Sequence, residues 1–162
     1  MKETPNSIGI ISDTHGLLRP EAIEALRGSE LIVHAGDIGK PEILAELETI
    51  ARVVAVRGNT DQGFWADALP ETAVAETAGG LIYVIHDLLA LDLDPVAAGF
   101  RMVVSGHSHK PGRSERAGVI YLNPGSAGPR RFQLPITLAR VTAGNDPWGI
   151  DFIDIAGAAV QQ

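Results

Sequence analysis

The chain has 162 residues, 13 Lys and Arg against 20 Asp and Glu, a formal charge of −7 and no cysteine. This length favours a single domain over residues 1–162, and the absence of cysteine excludes disulfides, thiolate zinc sites and a cysteine nucleophile. The acidic balance argues against coating of a nucleic-acid backbone, and no apolar run approaches the ~18 residues that span a bilayer, so we expect a cytoplasmic protein without a membrane partner.

Short apolar runs alternate with amphipathic stretches through the first two thirds of the chain, which is typical of βα units. Strands are predicted at residues 7–12, 31–35 and 52–56. Helices are predicted to begin at Pro20 and Pro41, because proline is favoured at the first helical position. The core is rich in Ile, Leu, Val and Ala and poor in aromatic residues, which indicates a largely buried sheet covered by helices.

The second half of the chain is predicted to contain more strands and turns than the first. Residues 72–77 and 81–86 flank a Gly-Gly turn and predict a hairpin. A helix is predicted at about residues 88–98, and the final residues, 156–162, are predicted to be a frayed tail. Further strands, in a more antiparallel arrangement, are predicted at residues 102–105, 113–116, 119–122, 135–141 and 148–155.

All five histidines lie at or just beyond the end of an apolar run. They are His15, His34, His86, His107 and His109. In open α/β sheets, ligands bind beyond the carboxyl ends of the strands, where several loops converge. The histidines therefore predict one site at this edge of the sheet.

Seven nitrogen and oxygen donors follow five predicted strands. Two divalent ions ~3.5 to 4 Å apart require about this many protein ligands, including a carboxylate that bridges them. In the motifs D-x-H and H-x-H, the two-residue spacing places both side chains on one side of an extended segment. Gly58 and Gly106 are predicted to let the backbone approach a crowded site. The seven candidates are Asp13, His15, Asp37, Asn59, His86, His107 and His109.

Each candidate also has a simpler interpretation. Asp37 could cap the helix that begins at Pro41, Asn59 could occupy a left-handed turn, and His86 could be a core histidine with satisfied hydrogen bonds. Their occurrence together at successive strand ends favours the metal centre.

The ordered motifs resemble those of the calcineurin-like metallophosphoesterase superfamily, and within it the small bacterial and archaeal phosphodiesterases. The motifs are SDTHG at 12–16, HAGD at 34–37, RGNTD at 57–61, GHSH at 106–109 and NPGS at 123–126. The resemblance spans about residues 8–130. It implies an α/β fold, the metallo-dependent phosphatase fold, in which two mixed sheets lie face to face between flanking helices as a four-layer αββα sandwich.

The resemblance also implies a role for each candidate. Asp13, His15 and His109 would hold one metal ion, Asn59, His86 and His107 would hold the other, and Asp37 would bridge both. Family members commonly use manganese, and iron, nickel, zinc or magnesium also occur. The implied reaction is hydrolysis of a small phosphodiester by a hydroxide that bridges the two ions, with Asp37 and Asn59 as catalytic residues.

Two departures from the family pattern leave roles open. Many phosphatases of the superfamily have a leaving-group histidine directly after the G-N motif, where this chain has Thr60 and Asp61; the branch of small phosphodiesterases shares this Asp. The leaving-group proton donor is therefore unassigned. Asp87 replaces the usual glycine after His86, where it would either orient that histidine or repel an anionic substrate.

His34 and Arg130 are assigned smaller roles. His34 is predicted to support the ligands from a buried position and not to bind metal. Arg130, with Arg131, is a candidate clamp for substrate phosphate, although adjacent arginines are often simply solvated.

An alternative function follows from a second resemblance. The scaffold subunit of retromer resembles the same small phosphoesterases but acts mainly as a protein-interaction surface. This chain retains all seven ligands, so hydrolysis is favoured. Its physiological substrate, native metal and possible homo-oligomeric state are left open by the sequence.

Overall fold

The computed structural model describes residues 4–156, so all but the first residue of the predicted tail at 156–162 lies outside the described residues, and that residue, Ala156, is buried. The strands of this region are β1 (Ser7–Ile11), β2 (Leu31–His34), β3 (Arg52–Ala55), β4 (Thr72–Thr77), β5 (Gly80–Ile85), β6 (Phe100–Val104), β7 (Gly112–Arg116), β8 (Val119–Asn123), β9 (Thr137–Thr142) and β10 (Gly149–Asp154). The helices are α1 (Pro20–Leu26), α2 (Pro41–Glu48), α3 (Phe64–Asp67) and α4 (Pro95–Ala98), with a 3₁₀ turn at Leu88–Ala90.

The strands form two mixed five-stranded sheets. The first has the order β10-β9-β1-β2-β3 and the second has the order β4-β5-β6-β8-β7. In the first sheet β1, β2 and β3 are parallel, and in the second β5, β6 and β8 are parallel. The other neighbours pair antiparallel. Parallel strands end at the same edge of a sheet, so the loops that follow them converge, as the sequence predicts.

The two sheets pack face to face around one apolar layer. Ile8 and Ile10 of β1 contribute to it from the first sheet, and Ile82 and Met102 contribute from the second. The other face of the first sheet packs against α1 and α2 through a separate cluster that includes Leu26 and Leu47. Since full burial of such a side chain contributes about 1.5–3 kcal/mol, these layers hold the strand ends in place. The four-layer αββα prediction is confirmed.

The predicted helix over residues 88–98 is wrong as one helix. Asp87 caps the short 3₁₀ turn by accepting a hydrogen bond from the Leu89 N–H (3.0 Å). A new helix, α4, begins at Pro95, and Asp94 caps it by accepting from the Val96 N–H (3.0 Å). Because the residue before a proline disfavours the helical conformation, the segment must break there. The short helix α3 lies where the sequence predicts only a loop.

The remaining elements lie within a few residues of their predicted bounds. The strand predicted to begin at residue 135 begins at Thr137, because Ile136 makes only an isolated bridge with Ser126. Within residues 4–156, no helix has the length and apolar character needed to cross a membrane.

Candidate metal centre

All seven predicted ligands lie in loops at the carboxyl ends of the parallel strands. Five of them have an unusual backbone conformation: φ lies between 46° and 71° at Asp13, His15, Asp37, His107 and His109. Only a few per cent of non-glycine residues adopt this left-handed region. Such conformations cost free energy and cluster at functional sites. The loops therefore adopt a backbone conformation of higher free energy, and this conformation orients these side chains.

The first group of donors consists of Asp13, His15 and His109, whose candidate ligand atoms lie within 4.8 Å of one another. Asp13 Oδ1 is 3.4 Å from His109 Nε2 and 3.7 Å from His15 Nε2. This oxygen is buried and has no hydrogen-bond partner within the described region. A buried carboxylate oxygen without a partner is costly, and a cation between it and the two imidazoles would satisfy it.

The second group consists of Asp37, His86 and His107, again within 4.8 Å. Asn59 joins this group through its amide oxygen. Asn59 Oδ1 is 2.9 Å from His86 Nε2 and 3.2 Å from His107 Nδ1. Four side chains from four loops thus direct their donor atoms toward one point.

Asp37 lies between the two groups. Its Oδ2 is 3.3 Å from His86 Nε2 and 3.7 Å from His15 Nε2. Its Oδ1 accepts a hydrogen bond from the Thr60 N–H (3.0 Å), which fixes the orientation of the carboxylate. One carboxylate oxygen therefore faces donors of both groups, as a bridging ligand must.

The donor set suits divalent ions of the first transition row. It combines imidazole nitrogens with carboxylate and amide oxygens and contains no thiolate. Such ligands accommodate several of these ions without selecting one. The residues present fit a metal centre, and the two groups give it room for two ions.

Neighbouring charges shift the pKa values of several candidate ligands. Burial would raise the pKa of Asp13, but the hydrogen bond from Ser12 and the nearby imidazoles of His15, His86 and His109 hold the pKa below its ordinary value. The Asp13 carboxylate in turn raises the pKa of His15. At His86, burial lowers the pKa, but Asp37 and the Ala35 carbonyl raise it overall. A raised pKa makes protonation of His15 and His86 more favourable, so protons would compete there with a metal ion.

The backbone approaches the two carboxylates closely at two glycines, as predicted. A Cβ atom at Gly58 would lie 2.1 Å from Asp37 Oδ1, and one at Gly106 would lie 2.6 Å from Asp13 Oδ2. Asp13 Oδ2 also accepts hydrogen bonds from the Ser12 hydroxyl (2.6 Å) and the His107 N–H (3.1 Å). Any larger residue at either glycine would displace a metal ligand.

His34 is fully buried, and both of its ring nitrogens make hydrogen bonds to the neighbouring loops. Its Nε2 donates to the Thr14 hydroxyl (3.0 Å), which itself donates to the Ile38 carbonyl (2.8 Å). Its Nδ1 accepts from the Gly36 N–H (3.1 Å). Burial lowers the pKa of His34 to about 4, so the ring is neutral at pH 7.

Stability is expected to fall with pH because of His34. The unfolded chain binds a proton on this ring below its ordinary pKa of 6.5, whereas the folded chain does so only below about 4. The folded state therefore loses stability as pH falls between these values, by about 3 kcal/mol in all. Urea unfolding of chelator-treated protein at pH 7 and 4.5 measures this loss. In His34→Gln the loss should be smaller by about 2 kcal/mol; an equal loss in both proteins would contradict the assignment.

Asp87 does not orient His86, so that part of its prediction is wrong. Its carboxylate caps the 3₁₀ turn through Leu89. His86 Nδ1 instead donates to the Ala35 carbonyl oxygen at 2.7 Å. This bond leaves Nε2 facing Asn59 and Asp37.

The simpler interpretations of Asp37 and Asn59 are wrong, whereas that of His86 agrees with the structure, because both of its ring nitrogens have hydrogen-bond partners. Helix α2 is preceded by Lys40 and has no side-chain cap, so Asp37 does not cap it. Asn59 is not among the described residues with positive φ, so it occupies no left-handed turn. His86 is only 5% exposed, as a core histidine would be, but its Nε2 faces the other ligands.

The sequence did not reveal the role of Asp61. This residue is 6% exposed and uses both carboxylate oxygens. Oδ1 accepts from the Gly39 N–H (3.0 Å), and Oδ2 accepts from the Gly58 N–H (2.9 Å). Asp61 therefore joins the loop of Asn59 to the loop of Asp37. Its only signal in the sequence is its position in the RGNTD motif.

Arg130 and Arg131 line a cavity of about 330 Å³ together with His15 and His109. The Arg130 guanidinium donates to the Leu134 carbonyl (3.1 Å). The positive charge of Arg131 lowers the pKa values of His15 and His109. This effect is smaller than the effect of Asp13 on the pKa of His15 and the effect of burial on the pKa of His109. Both arginines therefore border the first group of donors.

Comparison with known proteins identifies a family for this chain. Residues 7–146 match the family model of the calcineurin-like phosphoesterase superfamily domain. A probable metallophosphoesterase from Methanothermobacter thermautotrophicus is 39% identical over 131 residues, which cover 74% of this chain and 76% of that protein.

Solved structures agree on the fold. An archaeal phosphodiesterase superposes with a TM-score of 0.75 at 22% identity, covering 91% of this chain and 99% of the other. Vacuolar protein sorting 29 from Cryptosporidium parvum superposes with a TM-score of 0.74 at 18% identity, covering 94% and 100%. The match of the family model over most of the chain and the 39% identity show that the chain belongs to the calcineurin-like phosphoesterase superfamily, a metal-dependent family of phosphoester hydrolases.

Proposed function

We propose that the protein is a cytoplasmic phosphodiesterase that hydrolyses a small phosphodiester with two divalent metal ions. One observation carries the proposal: the Asp37 carboxylate lies between two groups of donors, 3.3 Å from His86 and 3.7 Å from His15. A site for a single ion would not require a second complete group of ligands around the same carboxylate.

Each ion would have its own set of side chains. Asp13, His15 and His109 would hold the first ion, Asn59, His86 and His107 would hold the second, and Asp37 would bridge them. We expect Mn²⁺, although Fe, Ni, Zn or Mg would also fit. When bound, two such ions neutralise charge on phosphate oxygens and lower the pKa of an attacking water.

Asn59 has a further task beyond metal binding. Its Oδ1 faces His86 and His107, which leaves its amide N–H groups to donate to a phosphate oxygen. Asp61 is not available as a leaving-group acid, because both its oxygens already accept backbone hydrogen bonds. The leaving-group proton donor is therefore unassigned.

The charge around the centre favours diesters over monoesters. A cavity of about 440 Å³ adjoins Asn59 and His86, and four of the residues that line it are acidic: Asp61, Glu71, Asp87 and Asp92. These carboxylates repel the second negative charge of a phosphate monoester. A diester has a single negative charge on its phosphate and is repelled less.

Hydrolysis of two chromogenic esters tests the proposal. With Mn²⁺, kcat/KM for bis(p-nitrophenyl) phosphate should exceed that for p-nitrophenyl phosphate by at least about tenfold, which corresponds to 1.4 kcal/mol. Chelator should abolish both reactions. A preference for the monoester would contradict the diester assignment, and metal-independent or absent turnover across pH 6 to 9 would contradict the enzyme itself.

A protein-interaction scaffold is the second candidate. It is supported by three large apolar side chains on the surface, Phe64, Leu89 and Phe132, which are 97%, 94% and 87% exposed. The structural similarity to vacuolar protein sorting 29 is consistent with it. A scaffold needs no turnover, so the assay above separates the two functions.

A further inference from the structure

Positive charge is concentrated in one segment that borders the metal centre. The chain as a whole has a formal charge of −7, yet residues 105–135 contain five cations and one acidic residue, Glu115. Glu115 already faces a cation outside the segment, with its Oε1 4.0 Å from Arg101 Nη1. The five cations are Lys110, Arg113, Arg116, Arg130 and Arg131.

Three of these cations line a groove that begins at a metal ligand. The groove has a volume of about 420 Å³ and runs from His107 along β7 and β8, past Lys110, Arg113 and Arg116. Its volume is in the range of about 300–1,000 Å³ that is typical of ligand sites. We call it the basic groove.

The cations of the basic groove are not neutralised by the protein. The side chains of Lys110 and Arg113 make no hydrogen bond or ion pair with any residue between 4 and 156. Arg116 stacks on Tyr121, with its Cζ 4.4 Å from the ring centroid. Away from the groove, by contrast, Arg57 pairs with Glu71 (3.0 Å). The lining of the groove also includes one carboxylate, Asp87, so three cations against one acidic residue give it a net positive charge beside the metal centre.

A second cavity beside the centre is acidic, and it shares Asp87 with the basic groove. The acidic cavity described above also reaches Asn59 and His86, and its one arginine, Arg57, is the partner of Glu71. An anionic extension of the substrate is therefore repelled on that side and attracted along the basic groove. A substrate with a second phosphate would bind in one direction only.

We propose that the basic groove binds a second phosphate group of the substrate. The substrate is then a phosphodiester with at least one further phosphate beyond the scissile one, such as a short oligonucleotide. Arginine binds phosphate oxygens through paired N–H groups, and lysine binds them as a point charge. This inference rests on the proposed function, because it assumes that the scissile phosphate lies at the metal centre.

Two esters that differ by one phosphate test the inference. They are thymidine 5′-(p-nitrophenyl phosphate) with and without a 3′-phosphate. With Mn²⁺, the 3′-phosphate should raise kcat/KM about tenfold, mainly through KM, and less at high salt. In the variant Lys110→Gln/Arg116→Gln this ratio should fall to near one. Arg52→Gln, which removes an exposed cation at the start of β3, should keep the ratio of the wild type.

A binding measurement separates failure of the inference from failure of the proposed function. Calorimetry of the Mn²⁺-loaded protein compares thymidine 3′,5′-bisphosphate with thymidine 5′-phosphate, neither of which is a diester. The bisphosphate should bind about tenfold more tightly to the wild type, and equally to the double variant. If the wild type prefers the bisphosphate but hydrolyses neither ester, only the proposed function is rejected. Equal binding by the wild type, or an unchanged preference in the double variant, would overturn the inference.

Discussion

Replacing Asp37 with asparagine should lower Mn²⁺-dependent hydrolysis of bis(p-nitrophenyl) phosphate by about a hundredfold to a thousandfold. The substitution removes the negative charge that faces both groups of donors, and loss of one such electrostatic contribution costs about 10²–10³ in kcat. Asparagine tolerates the φ of 55° at this position, so the loop should keep its shape. Steady-state kinetics measures the loss, and circular dichroism verifies the fold.

The matched control for this variant is Asp151→Asn. Asp151 is exposed on β10, at the edge of the first sheet. Its substitution removes the same charge and should change kcat/KM less than twofold. An Asp37→Asn protein that remains folded and retains more than a tenth of the activity would refute the bridging role.

Metal should also stabilise the folded protein strongly. Asp13 Oδ1 is buried without a partner, and a bound cation would satisfy it only in the folded state. Free Mn²⁺ at about a hundred times its dissociation constant adds about 3 kcal/mol of stability. For a chain of this length, that raises Tm by roughly 5–10 °C. Thermal unfolding of chelator-treated protein, with and without Mn²⁺, measures the shift.

The stabilisation should depend on pH and on Asp13. The pKa values of His15 and His86 are raised by neighbouring carboxylates, so protons compete with metal more strongly at pH 6 than at pH 8. The shift in Tm should therefore be smaller at pH 6. Asp13→Asn should lose most of it at either pH. The same shift in this variant and the wild type would contradict a metal ion at Asp13.

The sequence predicted the fold and the ligands because both follow from order along the chain. Apolar runs mark parallel strands, and the donors directly after them must meet where the strands end. Asp13, Asp37 and His86 could be placed together by this argument alone. The two predicted glycines are likewise required by the close backbone approach at Asp37 and Asp13.

Hydrogen bonds between distant loops could not be predicted in the same way. Asp61 accepts from the backbone of Gly39 and Gly58, and no local pattern specifies such partners. Asp87 illustrates the opposite case, since its partner is the N–H two residues ahead. That local contact competed with the predicted contact to His86 and replaced it.

The overall composition does not indicate the positive charge of the basic groove. A net charge of −7 suggests an acidic surface throughout, but the groove beside the site has three cations, among them Lys110 and Arg116, and only one carboxylate, Asp87. Only the arrangement of the sheets shows that β7 and β8 flank the loop of His107. Net charge argues against coating of a long nucleic acid but does not describe the local field.

The central claim is that two metal ions share the Asp37 carboxylate. Crystals grown with Mn²⁺ and measured at the manganese absorption edge test it most directly. An anomalous difference map should show two peaks about 3.5 to 4 Å apart, one among Asp13, His15 and His109 and the other among Asn59, His86 and His107. A single peak, or peaks that do not contact Asp37, would contradict the account.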